Sequence, residues 1–239
     1  MQRQSDAANV RAHTCPAFAF NMCCALKPDA RSLPADMPAQ DVTVQARRTI
    51  WRAGETIEGV PIICEGWAAA AITLSDGRRQ ILAFVLPGDM VSVSLVYNPV
   101  SASSLEAVTD VRYRLFRRAG IRAAIEREPK LTATLAKLWA EENARGDRLI
   151  LDLGQRSADE RIASLILNLA DRLARHGPMP DGAMEFPLRL HHIADATGLT
   201  SVHAGRVLTE FRRAGLIELS DRSLMVVVPD ELRRIAGLH

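Results

Sequence analysis

A segment near the carboxyl end of the chain, Thr200 to Arg213, carries side chains suited to reading nucleic acid. Its apolar residues recur at the i, i+3, i+4 and i+7 spacing of a helix with one buried face. They are Ala204, Val207, Leu208 and Phe211. The opposite face presents Val202, Gly205 and Arg206. Because a guanidinium group can bind O6 and N7 of guanine together, and a valine methyl can contact the methyl of thymine, we expect this helix to read base edges in the major groove of DNA.

Hydroxyl and basic side chains around this helix are suited to DNA phosphates. Thr200 is a helix-capping residue type, and the N–H groups at a capped helix start bind phosphate oxygens. Ser201 and His203 add donors at the same end, and arginines flank the segment. Such contacts position a protein on the duplex without reading sequence. The candidate DNA-binding residues are Thr200, Ser201, Val202, His203, Gly205, Arg206, Arg189, Arg212, Arg213 and Arg222.

The surrounding residues predict a winged helix-turn-helix. A short helix from about Leu190 to Thr197 precedes Gly198, which makes the turn into the second helix. Two apolar runs then flank a polar turn, as in a β-hairpin. The runs are Ile217–Leu219 and Leu224–Val228, and the turn is Ser220–Ser223. Upstream, Ser157 and Glu160 match the capping box of a further helix. These elements make residues 155–239 a DNA-binding domain.

Residues 41–120 predict a domain built from short strands, a β-roll that would serve as the sensor. The candidate strands are Thr49–Trp51, Pro61–Ile63, Trp67–Leu74, Gln80–Leu86, Leu105–Val108 and Val111–Phe116. Glycine turns separate them, and Asp76-Gly77 between two apolar runs is a hairpin signal. Many short strands at this spacing favour a small barrel or roll. The expected fold class is therefore α+β.

Residues 121–154 predict a helical segment with one long helix. Pro129 suits its first turn, and Gly154 is expected to end it. Alternating spacings of four and three mark a heptad seam with a polar middle. The seam residues are Leu131, Leu135, Leu138, Glu142, Arg145 and Leu149. A seam needs a partner, either the chain's own domain or a second copy. We expect two copies to pair, with Leu131, Leu135, Leu138, Glu142 and Leu149 forming the dimer helix.

Composition narrows the class of protein. The chain has 239 residues, 48% hydrophobic and 24% charged, with a formal net charge of +2, which is ordinary globular composition. Its longest apolar run, Trp67–Leu74, is far shorter than the ~20 residues of a membrane span. Residues 1–40 contain Pro28, Pro34 and Pro38, show no periodicity and predict a flexible arm. Sparse cysteine usage fits a reduced, cytoplasmic location.

The sequence offers no site for an enzyme. None of the six histidines lies in residues 41–118, so the predicted roll lacks the histidine ligands of a cupin-like metal centre. The chain also has no glycine-rich phosphate loop, nucleophile elbow or His-Glu-x-x-His stretch. We therefore expect neither catalysis nor a bound catalytic metal.

Taken together, these motifs resemble the Crp/Fnr family of bacterial transcription regulators over about residues 45–236. The motifs are Gly54, Gly66-Trp67, Asp76-Gly77-Arg78-Arg79-Gln80-Ile81-Leu82, Leu86-Pro87-Gly88-Asp89, Gly198-Leu199-Thr200-Ser201-Val202-His203, Arg206 and Arg213-Ala214-Gly215-Leu216-Ile217. The resemblance implies a cyclic-nucleotide-binding-like β-roll, a long dimerisation helix and a winged helix-turn-helix. It also implies a homodimer on a two-fold symmetric DNA site, with RNA polymerase as a partner.

Within that resemblance, some positions depart from the family pattern. Family members read bases at the positions of Val202, Gly205 and Arg206, but many have glutamate where this chain has Val202. Arg189-Leu190 replaces a polar pair that commonly opens the first helix of the motif. The resemblance therefore does not imply a particular half-site sequence.

The sensor half departs from the cyclic-AMP-binding branch of the family. That branch holds the cyclic phosphate with a Gly-Glu pair and an Arg-Ser pair after the Pro-Gly-Asp turn. Here Ser92-Val93 stands in place of Gly-Glu, and residues 88–110 contain no Arg or Lys. Because burying a phosphate without a cation is costly, we expect an effector other than cyclic AMP. The candidate effector-pocket residues are Ser92, Ser94, Ser101, Ser103, Glu142 and Arg145.

The cysteines offer an alternative sensor. The oxygen-sensing branch of the family holds a [4Fe–4S] cluster with three N-terminal cysteines and one in the roll. Cys15, Cys23, Cys24 and Cys64 repeat that count, but Cys23 and Cys24 are adjacent and Cys64 lies on an early strand. We expect no cofactor, with an iron–sulfur or redox-responsive regulator as the alternative. A protein-interaction module with weakened DNA binding is a further alternative.

Overall fold

The computed structural model describes residues 39–175 and 182–238. In the first of these ranges, short strands form two antiparallel sheets with the orders β1-β7-β3 and β2-β6-β4-β5. The strands are β1 (Ala39–Val44), β2 (Thr49–Trp51), β3 (Gly59–Glu65), β4 (Ala68–Thr73), β5 (Arg79–Val85), β6 (Ser104–Ala107) and β7 (Val111–Arg117). Both sheets contribute to one core that includes Trp51, Ile63 and Leu105. The predicted β-roll is confirmed, and each of the six predicted strands is present with ends within two residues.

The first strand was not predicted. It begins at Ala39, inside the segment expected to be a flexible arm, and residues 1–38 of that arm lie outside the described residues. Its partner is β7, with Val42 opposite Tyr113. Asp41 of β1 accepts a hydrogen bond from Arg114 Nε at 2.8 Å. Because β1 is specified by a strand about 70 residues further along the chain, its own short and irregular apolar pattern gave no signal.

A glycine permits the tight connection between β3 and β4. Gly66 has a φ of +80°, and a side chain there would collide with the carbonyl of Asp110. The neighbouring Trp67 is almost completely buried, at 1% exposure. The Gly66-Trp67 motif therefore fixes the start of β4 against the β6–β7 connection.

Two helices follow the roll, because the helical conformation is interrupted at the residue before Pro129. They are α1 (Arg118–Arg127) and α2 (Pro129–Gln155). Glu128 is extended, as residues before proline usually are. Gly154 lies inside α2, so the prediction that it ends the helix is wrong, and the extended backbone of Arg156 ends it instead. No helix in the described ranges is long and apolar enough to cross a membrane.

The structure corrects which face of α2 is available to a partner. Leu131 and Leu135 of the predicted dimer seam are 4% and 7% exposed and pack in the chain's own core with Val60 and Phe116. Leu138 packs against the same core, and Leu149 lines a cavity against α3. The opposite face is exposed and repeats at the same alternating spacing. Its residues are Ala136, Ala140, Asn143, Asp147 and Ile150. The leucine seam therefore holds α2 on its own roll.

The second described range, with the helix before it, forms the winged helix-turn-helix. Its elements are α3 (Ala158–Ala174), β8 (Ala183–Glu185), α4 (Leu190–Thr197), α5 (Ser201–Arg213), β9 (Ile217–Ser220), β10 (Ser223–Val226) and α6 (Pro229–Ile235). The predicted capping box opens α3, with Ser157 N donating to Glu160 at 2.6 Å. The third strand β8 and the helix α6 were not predicted. The sheet order is β8-β10-β9.

A continuous apolar core joins the roll to the winged helix-turn-helix. Trp67, Ile81 and Phe84 of the roll belong to the same buried cluster as Ile162 of α3 and Ile193 of α4. Arg172 of α3 adds an ion pair with Asp89, the last residue of the Leu-Pro-Gly-Asp turn. The position of α4 and α5 is therefore set by strands of the roll as well as by their own domain.

Candidate nucleic-acid interface and sensor pocket

The helix α5 is buried on one face and open on the other. Ala204 and Phe211 are buried, at 0% and 4% exposure, whereas Val202 is 84% exposed. Arg206 lies on the same exposed face. At the start of the helix, the Thr200 hydroxyl accepts a hydrogen bond from His203 N at 3.2 Å. The predicted cap and buried stripe are therefore present, and the candidate DNA-binding side chains lie on the face of α5 opposite to the core.

The turn between α4 and α5 is held by residues from three other elements. Gly198 has a φ of +66°, and a Cβ there would lie 2.9 Å from Leu153 of α2. Gln80 of β5 donates to the carbonyl of Ala196 at 3.2 Å. Arg161 of α3 donates to the carbonyl of Thr197, also at 3.2 Å. Sequence analysis missed Gln80 and Arg161 as positioning residues, because their partners are 116 and 36 residues away.

A glycine lies in the middle of the exposed face of α5. A Cβ at Gly205 would meet Leu190 Cδ1 at 3.4 Å, which is an ordinary contact distance. A glycine inside a helix costs about 0.5–1 kcal/mol relative to alanine. No steric constraint of the protein requires glycine here, and its effect is to leave this part of the α5 backbone half-exposed beside Leu190. Thr209 stabilises this turn of helix by donating its hydroxyl to the Gly205 carbonyl at 2.8 Å.

The remaining candidate phosphate ligands lie on the surface around α5. Arg212 and Arg213 are exposed in its last turn, and Arg189 is exposed at the start of α4. Arg222 lies at the tip of the β9–β10 hairpin with a φ of 63°, and its guanidinium is 3.3 Å from Glu185. This ion pair is more than half exposed, so it leaves Arg222 available to a competing anion.

A buried histidine supports the first turn of α4 and was not singled out from the sequence. His192 is 4% exposed, and its Nδ1 accepts a hydrogen bond from Arg189 N at 3.1 Å. Burial lowers the pKa of His192 to about 4, and the charges of His191, Arg79 and Arg189 add to the effect. The ring is therefore neutral near pH 7, with its proton on Nε2.

In the sensor half, a carboxylate of the long helix occupies the start of a short 3-10 helix. This helix, Val93–Val96, follows the Pro-Gly-Asp turn and has Ser92 as its N-cap. Ser92 Oγ donates to Glu142 Oε1 at 2.8 Å, and Val93 N donates to Glu142 Oε2 at 2.9 Å. Ser94 Oγ lies 3.0 Å from Ser92 Oγ. The Glu142 carboxylate thus accepts the hydrogen bonds that Ser92 and Val93 would otherwise donate to an acidic ligand.

The other candidate pocket residues do not join Ser92, Ser94 and Glu142. Ser101 accepts a hydrogen bond from Trp51 Nε1 at 3.0 Å and donates to the carbonyl of Ser103 at 2.8 Å, so these two serines brace the loop before β6. Arg145 lies in a separate cavity between β5, α2 and α3, where burial lowers its pKa and the charge of Arg172 lowers it further. The six residues therefore have different hydrogen-bond partners, and the charge of Glu142 acts on Arg145 one helical turn away.

A cation that sequence analysis missed lies at the other end of the 3-10 helix. Arg118 donates to the carbonyls of Leu95 at 2.6 Å and Ile57 at 2.7 Å. Burial lowers the pKa of Arg118. The side chain ties α1 to the roll and satisfies backbone acceptors, which is a structural role.

Of the four cysteines, only Cys64 lies within the described residues. Cys64 lies on β3 at 1% exposure, and its Sγ donates to the carbonyl of Ile62 at 3.8 Å. Cys15, Cys23 and Cys24 lie outside the described residues. Within residues 39–175 and 182–238, no group of three or more His, Cys, Asp or Glu side chains could hold a metal ion. The described part of the chain therefore contributes one interior thiol to the candidate cluster.

Comparison with known proteins identifies the two domains. Residues 41–128 match the cyclic nucleotide-binding domain, and residues 160–235 match the Crp-like helix-turn-helix domain. The transcriptional activatory protein AadR of Rhodopseudomonas palustris is 32% identical over 196 residues, covering 82% of this chain and 77% of AadR. The nitrogen fixation regulation protein FixK of Azorhizobium caulinodans is 32% identical over 217 residues, covering 86% of this chain and 87% of FixK. The chain is thus of the class of transcription regulators with a helix-turn-helix.

Solved structures agree with this class. The structure of FixK2 from Bradyrhizobium japonicum is similar, with a TM-score of 0.75 and 27% identity, over 83% of this chain and 97% of FixK2. A CooA mutant from Carboxydothermus hydrogenoformans shares the fold, with a TM-score of 0.72 and 16% identity over 91% of this chain and 96% of that chain. The chain belongs to the Crp/Fnr family of transcription regulators.

Proposed function

We propose that this regulator acts as a homodimer that reads a two-fold symmetric DNA site with α5. The observation that carries the proposal is the exposure pattern of this helix, which buries Ala204 and Phe211 and presents Val202, Gly205 and Arg206 to solvent. A helix held in this way by a helix-turn-helix enters the major groove with its first turns against the bases.

The residues on and around α5 divide into base contacts and phosphate contacts. Arg206 is suited to a guanine and Val202 to a thymine methyl. Phosphate binding is assigned to the first turn of α5 and to exposed arginines near it. The phosphate-binding residues are Thr200, Ser201, His203, Arg189, Arg212, Arg213 and Arg222.

The dimer contact is assigned to the exposed face of α2. Ile150 of this face and the neighbouring Trp139 are 72% and 60% exposed, which is unusual for large apolar side chains. The small residues Ala136 and Ala140 on the same face would allow two such helices to approach closely. Pairing along α2 places the two copies of α5 on the same side of the dimer, as a symmetric site requires.

The roll acts on DNA binding through the turn before α5. Gln80, Leu153 and Arg161 contact this turn from the roll, the long helix and α3. A shift of α2 against the roll therefore moves the two copies of α5 relative to each other. The hydrogen bonds that Glu142 accepts from Ser92 and Val93 support an effector other than cyclic AMP. We also propose a cytoplasmic location and contact with RNA polymerase, and membership of the family supports both.

Selection of bound duplexes from a random pool tests this function. Aerobically and anaerobically purified protein are used side by side, together with Arg206→Ala and Arg212→Ala. We expect a palindrome with half-sites about one helical turn apart. Arg206→Ala should relax one base position in each half-site at a cost of about 1–3 kcal/mol, whereas Arg212→Ala should weaken all duplexes uniformly.

Other outcomes of the selection separate the alternatives. A palindrome recovered only without air, together with protein-bound iron, would make the cysteines the sensor. If no sequence is enriched and duplex binding shows no steep salt dependence, the chain is an interaction module without DNA affinity.

A further inference from the structure

We propose that Leu190, which lies on α4 outside the helix that reads the groove, is a specificity-determining residue that selects a thymine through its 5-methyl group. The proposal rests on the proposed function, since it requires α5 to enter the major groove. It adds a base contact from the first helix of the motif, which usually only crosses the DNA backbone.

The geometry that carries it is the contact between Leu190 and Gly205. Leu190 Cδ1 and Cδ2 lie 3.4 Å and 3.8 Å from the position of a Cβ on Gly205. The isobutyl group therefore lies beside the bare backbone of α5, on the face that points away from the core. Because Gly205 has no side chain, nothing on α5 at this position extends past Leu190 toward a ligand.

Leu190 remains exposed although it contacts α5. Its exposed fraction is 45%, and Val202, one helical turn before Gly205, is 84% exposed. Residues three apart on a helix are neighbours on its surface, so Leu190 and Val202 flank Gly205 as one apolar strip. Arg206 borders this strip on the polar side. In the major groove, the chemical group that matches an exposed apolar strip is the methyl of thymine.

Leu190 is not among the residues that pack α4 into the core of its domain. It is the first residue of α4, directly after Arg189, and the apolar positions that hold α4 in the core are Ile193, Ala194 and Ala196. The side chain is thus free of the packing that fixes the helix. Replacing it with alanine leaves the core of the domain intact.

The test compares two random duplex pools, one made with thymidine and one with deoxyuridine, which lacks only the methyl group. Wild type, Leu190→Ala and the control Leu74→Ala are each selected on both pools. Leu74 is 50% exposed on the roll, so the control removes the same side chain from a position outside the helix-turn-helix. Melting temperatures confirm that the three proteins are equally folded.

On the thymidine pool, we expect wild type and Leu74→Ala to select a thymine beside the guanine contacted by Arg206. On the deoxyuridine pool, both proteins should lose the preference at that position and keep the preference for the guanine. Leu190→Ala should recover the guanine but lose the preference at this thymine on both pools, whereas a thymine contacted by Val202 should still be selected on the thymidine pool. On the enriched duplex, deoxyuridine at that position should weaken wild type about fourfold for each half-site, the effect of one buried methyl group.

Two kinds of result overturn the proposal. If Leu190→Ala keeps the thymine preference of wild type, or if both pools give wild type the same consensus, Leu190 does not select the methyl, although a recovered palindrome still supports the proposed function. If wild type enriches no sequence from the thymidine pool, both the proposed function and this inference fail.

Discussion

The carboxylate of Glu142 and the backbone N–H of Val93 are 2.9 Å apart, although 49 residues separate them in the chain. With the second hydrogen bond from Ser92, this contact fixes α2 against the first turn of the 3-10 helix. It also places a negative charge at the amino end of that helix, where the helix dipole is positive. The contact between the roll and α2 is therefore stabilised by an internal anion.

Replacing Glu142 with alanine should destabilise the protein. Val93 N and Ser92 Oγ lose their acceptor, and a lost hydrogen bond of this kind costs about 1–3 kcal/mol. For a chain of this size we expect a melting temperature lower by about 2–4 °C for each kcal/mol. The control is Glu141→Ala, whose carboxylate is 3.8 Å from the exposed Arg175 and should change stability by less than ~1 kcal/mol. Equal effects of both variants would show that the Glu142 contact is not formed in solution.

Cyclic AMP should leave the melting temperature of the wild-type protein unchanged. The donors of Ser92 and Val93 are already bound by Glu142, and a second anion beside that carboxylate is repelled. Thermal melting with and without micromolar cyclic AMP measures this directly. An increase of several degrees would mean that Glu142 moves aside for the ligand.

His192 should make stability fall as the pH decreases from about 6.5 to 4. Its pKa is about 4 in the folded protein and near 6.5 when unfolded, so the unfolded chain binds the proton more readily. Through His192, the free energy of unfolding is constant above about pH 6.5. It falls by about 3 kcal/mol as the pH decreases to 4, at 1.36 kcal/mol per pH unit. We expect His192→Asn to reduce this part of the pH dependence in denaturant unfolding. His203→Asn is the control, because His203 is less buried than His192 and is not among the charges that lower the pKa of His192. If both variants follow the wild-type pH dependence, His192 is not buried in its neutral form.

Replacing Gly205 with alanine should separate stability from DNA binding. Alanine is favoured inside a helix and here meets only Leu190 at 3.4 Å, so we expect a stability gain of about 0.4–1 kcal/mol. The added methyl lies on the face of α5 that approaches the bases, so affinity for the selected palindrome should fall several-fold. Affinity for a random duplex serves as the control and should not change. Improved stability with unchanged specific affinity would show that this face of α5 does not approach the DNA.

The helix α5 could be predicted from the sequence because its signals are local. The cap at Thr200 and the stripe from Ala204 to Phe211 lie within twelve residues, and the structure contains both. The signal for the turn between α4 and α5, the glycine at position 198, is equally local. By contrast, the hydrogen bond from Gln80 to Ala196 spans 116 residues, and no periodicity could have indicated it.

The long helix shows the same limit of local patterns. Its heptad seam was read correctly as an apolar face, but periodicity does not reveal which partner covers that face. Leu131 and Leu135 are covered by α1 and the roll, so the surface left for a second copy carries Trp139 and Ile150 instead. The partner of Ser101 could not be predicted for a related reason: this serine accepts a hydrogen bond from Trp51, and only the folded sheet brings these two residues together.

Binding to one selected palindrome, compared with the same duplex in which one half-site is scrambled, tests the central claim most directly. Analytical ultracentrifugation gives the number of chains on each duplex, and titration gives the affinity. We predict two chains on the palindrome, a large loss of affinity when one half-site is scrambled, and a further loss with Arg206→Ala only where a half-site is intact. One chain per duplex, or equal affinity for the intact and scrambled duplexes, would contradict a dimeric regulator that reads DNA with α5.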